Sequence, residues 1–197
     1  PFWLGEELNR QLPDDAVIVE ETTVHKGVIN NLIETRDRSY IGAGRVLAGG
    51  RGGGLGMALG AKLAEPDRPV VAILGDGAFN YNPVSAALGA AQQYSLPFMT
   101  IIFDNQGYRS QQGSHMSSYP DGNAARTGRY PGSSIHPKPD YDRQAGAWNA
   151  YGRAVDDPTD VADAVERGLD AMDAGNAAVL DILVKEESPR AKLEAPP

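Results

Sequence analysis

The sequence of 197 residues is long enough for one α/β domain with its own hydrophobic core and too short for two ordinary domains. Its net charge of −8 disfavours a nucleic-acid or anionic-membrane partner, and the absence of cysteine excludes disulfides, thiolate metal sites and thiol nucleophiles. No apolar run reaches the roughly 20 residues that span a bilayer and no secretory leader is recognisable, so we expect a cytoplasmic protein with no membrane partner.

The predicted elements alternate between helices and strands, with short connections. Apolar residues at helical spacing indicate helices, while unbroken apolar runs indicate strands that are buried on both faces, as in a parallel sheet. Asn82-Pro83 and Asp157-Pro158 are helix starts, because a side-chain cap precedes a proline in the first turn. We predict strands over residues 16–19, 70–74, 98–103 and 178–184. We predict helices over residues 2–11, 55–64 and 82–94, and a further helix that begins at 157–160 and ends at Gly175. Between these elements the sequence has a turn over 12–15, a polar run over 20–23 and a glycine-rich stretch over 42–60.

This alternation predicts a doubly wound parallel α/β sheet with helices on both faces. The domain is expected over residues 1–185, with a peripheral charged tail over 186–197. Residues 106–139 have little periodicity and much Gly, Ser, Pro and Tyr, which predicts a long mobile loop over about 108–139. Ligands of such sheets bind at the carboxyl ends of the strands, so the residues that directly follow the strands are the candidates for function.

Two polar turns follow the two buried strands. Gly75-Asp76-Gly77-Ala78-Phe79 comes after the first, and Asp104-Asn105-Gln106-Gly107-Tyr108 comes after the second. If these strands are neighbours, Asp76 and Asn105 meet at one edge of the sheet although they lie 29 positions apart. A carboxylate, an amide oxygen and a backbone carbonyl near Gly107 are hard oxygen ligands, which Mg²⁺ combines with water and phosphate oxygens. Each motif taken singly is typical of an ordinary turn, and only their combination indicates a metal and phosphate site.

The run from Gly75 to Tyr108 resembles the signature of thiamine-diphosphate enzymes, which opens with Gly-Asp-Gly and closes with two asparagines followed by x-Gly-Tyr. The resemblance extends over residues 2–184 and is closest to the C-terminal diphosphate-binding domain of the acetolactate synthase and benzoylformate decarboxylase group. One departure from the pattern is Asp104, which stands where the family has the first asparagine of the pair. The second asparagine, which carries the metal in the family, is kept as Asn105.

The resemblance implies the roles of individual residues toward thiamine diphosphate and Mg²⁺. The side chains of Asp76 and Asn105 and the backbone of Gly107 are the implied metal ligands, and the backbones of Gly77 and Ala78 are the implied donors to the diphosphate. The full set of implied cofactor-binding residues is Thr23, His25, Leu55, Gly75, Asp76, Gly77, Ala78, Asn105, Gly107 and Tyr108.

Leu55 is the implied apolar residue that supports the bent cofactor, with Met57 as the alternative position and ordinary core as the alternative role. Thr23 and His25 lie where family members contact the diphosphate, and helix capping is the alternative for both. We expect His115 and His136 to be solvent-exposed loop residues, against the alternative that they face the substrate.

The resemblance further implies an enzyme that decarboxylates small 2-oxo acids or joins their C–C bonds. In this family the glutamate that activates the cofactor lies on a separate pyrimidine-binding domain, and Glu20 and Glu21 are in the wrong context to replace it. The sequence starts at Pro1 rather than Met. We therefore expect the catalytic residues to lie outside it, on another chain or domain, in a hetero- or homo-oligomer.

Two alternatives belong to other functional classes. A non-catalytic or regulatory subunit would keep the fold and the metal residues without turnover. A nucleotide-binding α/β enzyme is disfavoured, because no G-x-G-x-x-G occurs in the glycine-rich region and no Gly-Lys-Ser/Thr occurs anywhere.

Overall fold

Six parallel strands form one sheet in the computed structural model, which describes residues 1–34, 39–42 and 51–184. The strands are β1 Val17–Glu21, β2 Ser39–Gly42, β3 Val70–Gly75, β4 Met99–Asp104, β5 Tyr151–Val155 and β6 Ala178–Leu183. Their order across the sheet is β2-β1-β3-β4-β6-β5, and each neighbouring pair is parallel. The chain passes from β1 to β2 on one side and then to β3 on the other, so the winding direction switches between β1 and β3. Ligand sites of such sheets lie at this switch point.

Helices cover both faces of the sheet. They are α1 Phe2–Gln11, α2 Lys26–Leu32, α3 Gly54–Ala64, α4 Asp76–Tyr81, α5 Val84–Tyr94, α6 Arg109–Ser118, α7 Asn123–Thr127, α8 Tyr141–Gly146 and α9 Val161–Asp173, with a 3₁₀ turn at Pro158–Asp160. Within the described residues, no helix is both long enough and apolar enough to cross a membrane.

Side chains of each strand alternate between two separate hydrophobic cores. In β3, Ile73 packs with α1, α2 and α9, whereas Ala72 and Leu74 pack on the opposite face with α3, α5 and α8. In α9 the predicted apolar face, formed by residues 161, 164, 165, 169 and 172, packs on the first of these cores. The predicted doubly wound α/β sheet with helices on both faces is confirmed, and it follows from strands that are apolar on both sides.

The structure corrects the prediction at the first strand. The strand was expected to end at Val19, but β1 continues through Glu20 and Glu21, which are 1% and 0% exposed. Tyr40 and Thr22 donate hydrogen bonds to Glu20, while backbone N–H groups of the glycine-rich stretch and Asn82 donate to Glu21. Polar residues can continue a buried strand because these donors, mostly distant in sequence, satisfy their carboxylates.

The predicted loop over residues 108–139 also needs correction, because it contains α6 and α7. Two edge strands and three further helices were not predicted either. The edge strands are short, and β5 alternates between exposed and partly buried residues, so neither carries the unbroken apolar run of a central strand. The extent of the domain and the mobility of the loop stay predictions. Residues 43–50 of the glycine-rich stretch and the tail lie outside the described residues.

Candidate functional site

A pocket opens at the carboxyl ends of β1, β3 and β4, at the switch point of the sheet. Three segments form its wall: the residues after β1, the first turn of α4 after β3, and the turn after β4. The lining residues are Glu21, Thr22, Thr23, Val24, His25, Arg51, Gly75, Asp76, Gly77, Ala78, Tyr81, Asn105, Gly107, Tyr108, Arg109, Ser110 and Gln111. The structure therefore brings together every predicted cofactor residue except Leu55.

Asp76 connects the two turns that the sequence analysis singled out. It is 2% exposed, and its Oδ2 accepts a hydrogen bond of 2.8 Å from the N–H of Gly107. Burial raises the pKa of Asp76 to about 7. The N–H groups of Gly77 and Gly107 oppose this rise, and the neighbouring carboxyl of Asp104 adds to it. A carboxyl that resists ionisation for these reasons is stabilised as an anion by a bound cation.

Asn105 supplies the second oxygen of the candidate metal site. Its Oδ1 is buried and accepts no hydrogen bond from any residue in the described parts of the chain. A buried acceptor without a donor is unfavourable, so a cation at this position would satisfy it. The carbonyl of Gly107 accepts the N–H of Arg109 at 3.0 Å and keeps a second lone pair.

This donor set fits Mg²⁺ held jointly with a phosphate group. Carboxylate, amide and carbonyl oxygens are hard ligands, and Mg²⁺ fills the rest of its octahedron with water and phosphate oxygens. Within residues 1–34, 39–42 and 51–184, no group of three or more His, Asp or Glu side chains is arranged to hold a metal. The candidate site instead combines one carboxylate with the amide oxygen of Asn105 and the carbonyl of Gly107, and water and phosphate oxygens would complete the octahedron.

Another part of the pocket suits an anion. Gly77 and Ala78 lie in the first turn of α4, where backbone N–H groups have no carbonyl partner within the helix. Arg51 and Arg109 bring two cationic side chains to the same pocket. Thr23 is exposed there, whereas His25 is only 2% exposed and its ring packs 5.4 Å from that of Phe103.

Close packing of an aromatic ring also explains why residue 77 is glycine, and the sequence did not reveal this contact. A Cβ added to Gly77 would lie 2.7 Å from Cδ1 of Tyr108, so the aromatic ring rests directly on the backbone. The same ring stands 6.1 Å from that of Tyr81. Both tyrosines line the pocket, and a side chain at residue 77 would displace the ring of Tyr108.

Leu55 does not line the pocket that gathers the other predicted cofactor residues. It is fully buried on the face of the sheet that α3 covers, and its N–H donates to Oδ1 of Asn82 at 3.0 Å. The alternative position, Met57, is partly buried against the same core. Because α3 begins at Gly54, Leu55 lies in its first turn and faces the sheet, which is the ordinary-core role.

Several residues of the pocket were missed by the sequence analysis. Arg109, Ser110 and Gln111 directly follow Tyr108, so their position after β4 was a usable signal. Arg51 and Tyr81 carry no such local signal. His115 and His136 are exposed and do not line the pocket, as expected for loop histidines, although His115 belongs to α6 and its ring stands 5.3 Å from that of Tyr119.

Comparison with known proteins identifies relatives of this arrangement. A family model described as "Thiamine pyrophosphate enzyme, C-terminal TPP binding domain" matches residues 22–182. Benzoylformate decarboxylase of Pseudomonas aeruginosa is 41% identical over 109 residues, which are 55% of this chain and 20% of that protein. Acetolactate synthase isozyme 2 large subunit of Escherichia coli is 27% identical over 170 residues, which are 86% of this chain and 28% of that protein.

A solved structure extends the likeness to three dimensions. The thiamine diphosphate-dependent 4-hydroxybenzoylformate decarboxylase of Rhodococcus jostii superposes with a TM-score of 0.76 at 28% identity, covering 95% of this chain and 33% of that one. The chain thus spans between a fifth and a third of the length of these relatives.

Proposed function

The chain belongs to the family of C-terminal TPP-binding domains of thiamine pyrophosphate enzymes, and from this premise we propose that it is the diphosphate-anchoring part of an enzyme that cleaves or joins C–C bonds of 2-oxo acids. The observation that carries the proposal is the meeting of two turns: the Asp76 carboxyl accepts the Gly107 N–H, and the buried Asn105 oxygen has no donor in the described chain. The relatives named as decarboxylases and an acetolactate synthase support the reaction class.

Each wall of the pocket has its own part in holding the cofactor. Asp76, Asn105 and the carbonyl of Gly107 hold Mg²⁺, and Gly77 and Ala78 donate backbone N–H groups to the diphosphate. Thr23 and His25 complete the surroundings of that group, and the cationic side chains of Arg51 and Arg109 offset its negative charge. When bound, thiamine diphosphate supplies the carbon nucleophile that adds to a substrate carbonyl and accepts the electron pair released on decarboxylation.

The catalytic glutamate comes from a pyrimidine-binding domain on another chain or on a further part of the same protein. Among the described residues that line the pocket, Glu21 is the only glutamate, and both of its oxygens are engaged. One accepts the N–H of Gly52 at 2.6 Å, and the other accepts the N–H of Gly54 at 2.9 Å and the amide of Asn82 at 2.8 Å. The relatives' greater length leaves room for such a domain.

Mg²⁺-dependent binding tests the anchoring role directly. Calorimetric titration with thiamine diphosphate should give binding with Mg²⁺ and little binding with EDTA. Asp76→Ala should abolish the Mg²⁺-dependent component while the circular dichroism spectrum stays that of the folded chain. Asp67→Ala, in an exposed turn, is the matched control and should bind like the wild type. Retained Mg²⁺-dependent binding in Asp76→Ala would mean that the metal site is wrongly assigned.

Turnover tests the remainder of the proposal. The chain alone should not release CO₂ from 2-oxo acids, and addition of the pyrimidine-binding half should restore activity. Full turnover by the chain alone would contradict the proposal that the catalytic glutamate lies on another domain. Cofactor binding without activity in the complete assembly would indicate the alternative, a non-catalytic subunit. We also propose a cytoplasmic location and assembly with another chain or a second copy, which cell fractionation and light scattering test.

A further inference from the structure

A buried ionic cluster lies behind the candidate metal site. Asp104 at the end of β4 and Asp181 in β6 are each 1% exposed. The ammonium of Lys138 stands 2.5 Å from Oδ2 of Asp181 and 3.4 Å from Oδ2 of Asp104. Lys138 follows the segment that contains α6 and α7, so this cluster joins two strands to a stretch of chain that the sequence analysis treated as a loop.

The two carboxylate oxygens of Asp104 contact different groups. Its Oδ1 accepts the N–H of Gln106 at 2.9 Å, while its Oδ2 faces Lys138. Gln106 has φ of +58°, in the left-handed region that a residue with a Cβ adopts at a cost. The hydrogen bond from Gln106 to Asp104 therefore helps to hold an unfavourable backbone conformation between Asn105 and Gly107, and that conformation sets the direction of both groups.

The same segment holds this turn at two further points. The N–H of Tyr108 donates to the carbonyl of Ser133 at 2.8 Å, and the N–H of Ile135 donates to the carbonyl of Gln106 at 3.1 Å. Lys138 follows Ile135 by three residues. The turn over residues 104–108 is thus held by backbone hydrogen bonds to residues 133 and 135 and by the ion pair between Asp104 and Lys138.

We propose that Lys138 is a positioning residue for the magnesium-binding turn, acting through Asp104. The proposal rests on the proposed function, because it assumes that Asn105 and Gly107 bind the metal. Asp76, Asp104 and Asp181 place three carboxyl groups close together in a buried region, and Lys138 keeps Asp104 directed toward Gln106 despite this crowding. Asp104 stands where the family resemblance places an uncharged asparagine, so the carboxylate that Lys138 faces is a departure from that pattern.

The test is a pair of substitutions made singly and together. Lys138→Met keeps most of the aliphatic stem and removes the charge, and it should weaken Mg²⁺-dependent binding of thiamine diphosphate by about tenfold or more. In the Asp104→Asn background the same change should alter affinity by less than about threefold, because the amide is neutral and its oxygen still accepts the Gln106 N–H. Equal losses from Lys138→Met in both backgrounds would overturn the proposal. If Lys138→Met alone does not fold, the double variant is compared with Asp104→Asn. A tenfold lower affinity of the double variant would then overturn the proposal.

Lys26→Met is the matched control. The side chain of Lys26 is 30% exposed and lies 3.5 Å from a buried Glu20 carboxylate, and that of Lys138 is 31% exposed. Lys26→Met should keep the wild-type affinity, because Lys26 makes no contact with the turn over residues 104–108 among the interactions of the described chain.

Hydrogen exchange of the metal-free full chain separates this inference from the proposed function. Protection of the Gln106 and Gly107 amides should fall by about tenfold in Lys138→Met, and it should be unchanged in Lys26→Met. Absence of Mg²⁺-dependent binding in the wild type would overturn the proposed function but leave the exchange result standing. Unchanged protection in Lys138→Met would overturn the positioning role whatever the binding result.

Discussion

Replacing Asp76 with asparagine separates its effect on stability from its effect on the cofactor. The amide keeps the size of the side chain, and its oxygen can accept the Gly107 N–H that Asp76 accepts at 2.8 Å. The change removes a negative charge from a group that is 2% exposed. Without metal we therefore expect Asp76→Asn to be more stable than the wild type at alkaline pH, although it should lose the cofactor.

The sign of the pH dependence follows from the raised pKa of Asp76. Burial raises it from 3.8 to about 7, so the folded chain holds this proton more tightly than the unfolded chain does. The contribution of Asp76 to stability is then fully present below about pH 4 and is lost as the pH rises through 7. The size of the rise sets an upper limit of about 4 kcal/mol on the free energy involved. The advantage of Asp76→Asn should grow between pH 4 and 7 and level off at roughly 1–4 kcal/mol.

Urea unfolding with EDTA, followed by circular dichroism at several pH values from 5 to 8, measures this advantage. Both proteins share every other titrating group, so the difference between them reports residue 76 together with its interaction with the neighbouring Asp104 carboxyl. Asp67→Asn, the same substitution in an exposed turn outside the pocket, is the matched control. Addition of Mg²⁺ and thiamine diphosphate should then stabilise the wild type and not Asp76→Asn. A difference that is independent of pH, or that grows as the pH falls, would refute the reasoning.

Four further predictions concern the free energy of unfolding. Gly60→Ala, in an exposed position of α3 where a Cβ meets nothing within 4 Å, should raise the free energy of unfolding by about 0.5–1 kcal/mol. Gly52→Ala should instead lower the free energy of unfolding by more than about 1 kcal/mol, because Gly52 has φ of +100° and a Cβ would meet the Tyr81 carbonyl. Equal effects of Gly60→Ala and Gly52→Ala would contradict this reasoning. Ser95→Gly should stabilise the chain by up to about 1 kcal/mol, since Ser95 ends α5 with φ of 51°, and a loss of stability would show that its side chain has an unrecognised role. Glu21→Ala should destabilise the chain by about 3 kcal/mol or more, because buried N–H groups lose their acceptor, and a small effect in urea unfolding would mean that water replaces the carboxylate.

The central strands were predictable because their signal is local. Residues 70–74 and 98–103 are unbroken apolar runs, and a strand buried on both faces needs nothing else to be recognised. At Glu20 and Glu21 the local signal was misleading, because most of the donors that make their burial tolerable come from residues 40, 52, 54 and 82, and only Thr22 is a neighbour in the sequence. Burial of a polar side chain depends on its partners, and most of these partners are remote in the sequence.

The candidate site also contains some residues that the sequence predicted and others that only the structure placed. Asp76, Asn105 and Gly107 could be identified because each follows a buried strand directly, and parallel strands bring such residues to one edge. The role of Leu55 depended on which way the first turn of α3 faces, and the structure turns it into the core. Lys138 gave no signal at all, since nothing in the sequence relates it to Asp104.

The sequence by itself therefore determined the fold class and the edge of the sheet at which the candidate site residues gather, because apolar runs and the residues at their ends are short-range properties. The class of the cofactor came from the resemblance of residues 75–108 to a family signature. Only the tertiary structure decided that Leu55 belongs to the core, that Glu21 fastens the glycine-rich stretch, and that Lys138 stands against Asp104 and Asp181. These relations join residues far apart in the chain through burial and charge, and their free energy exists only once the elements have packed together.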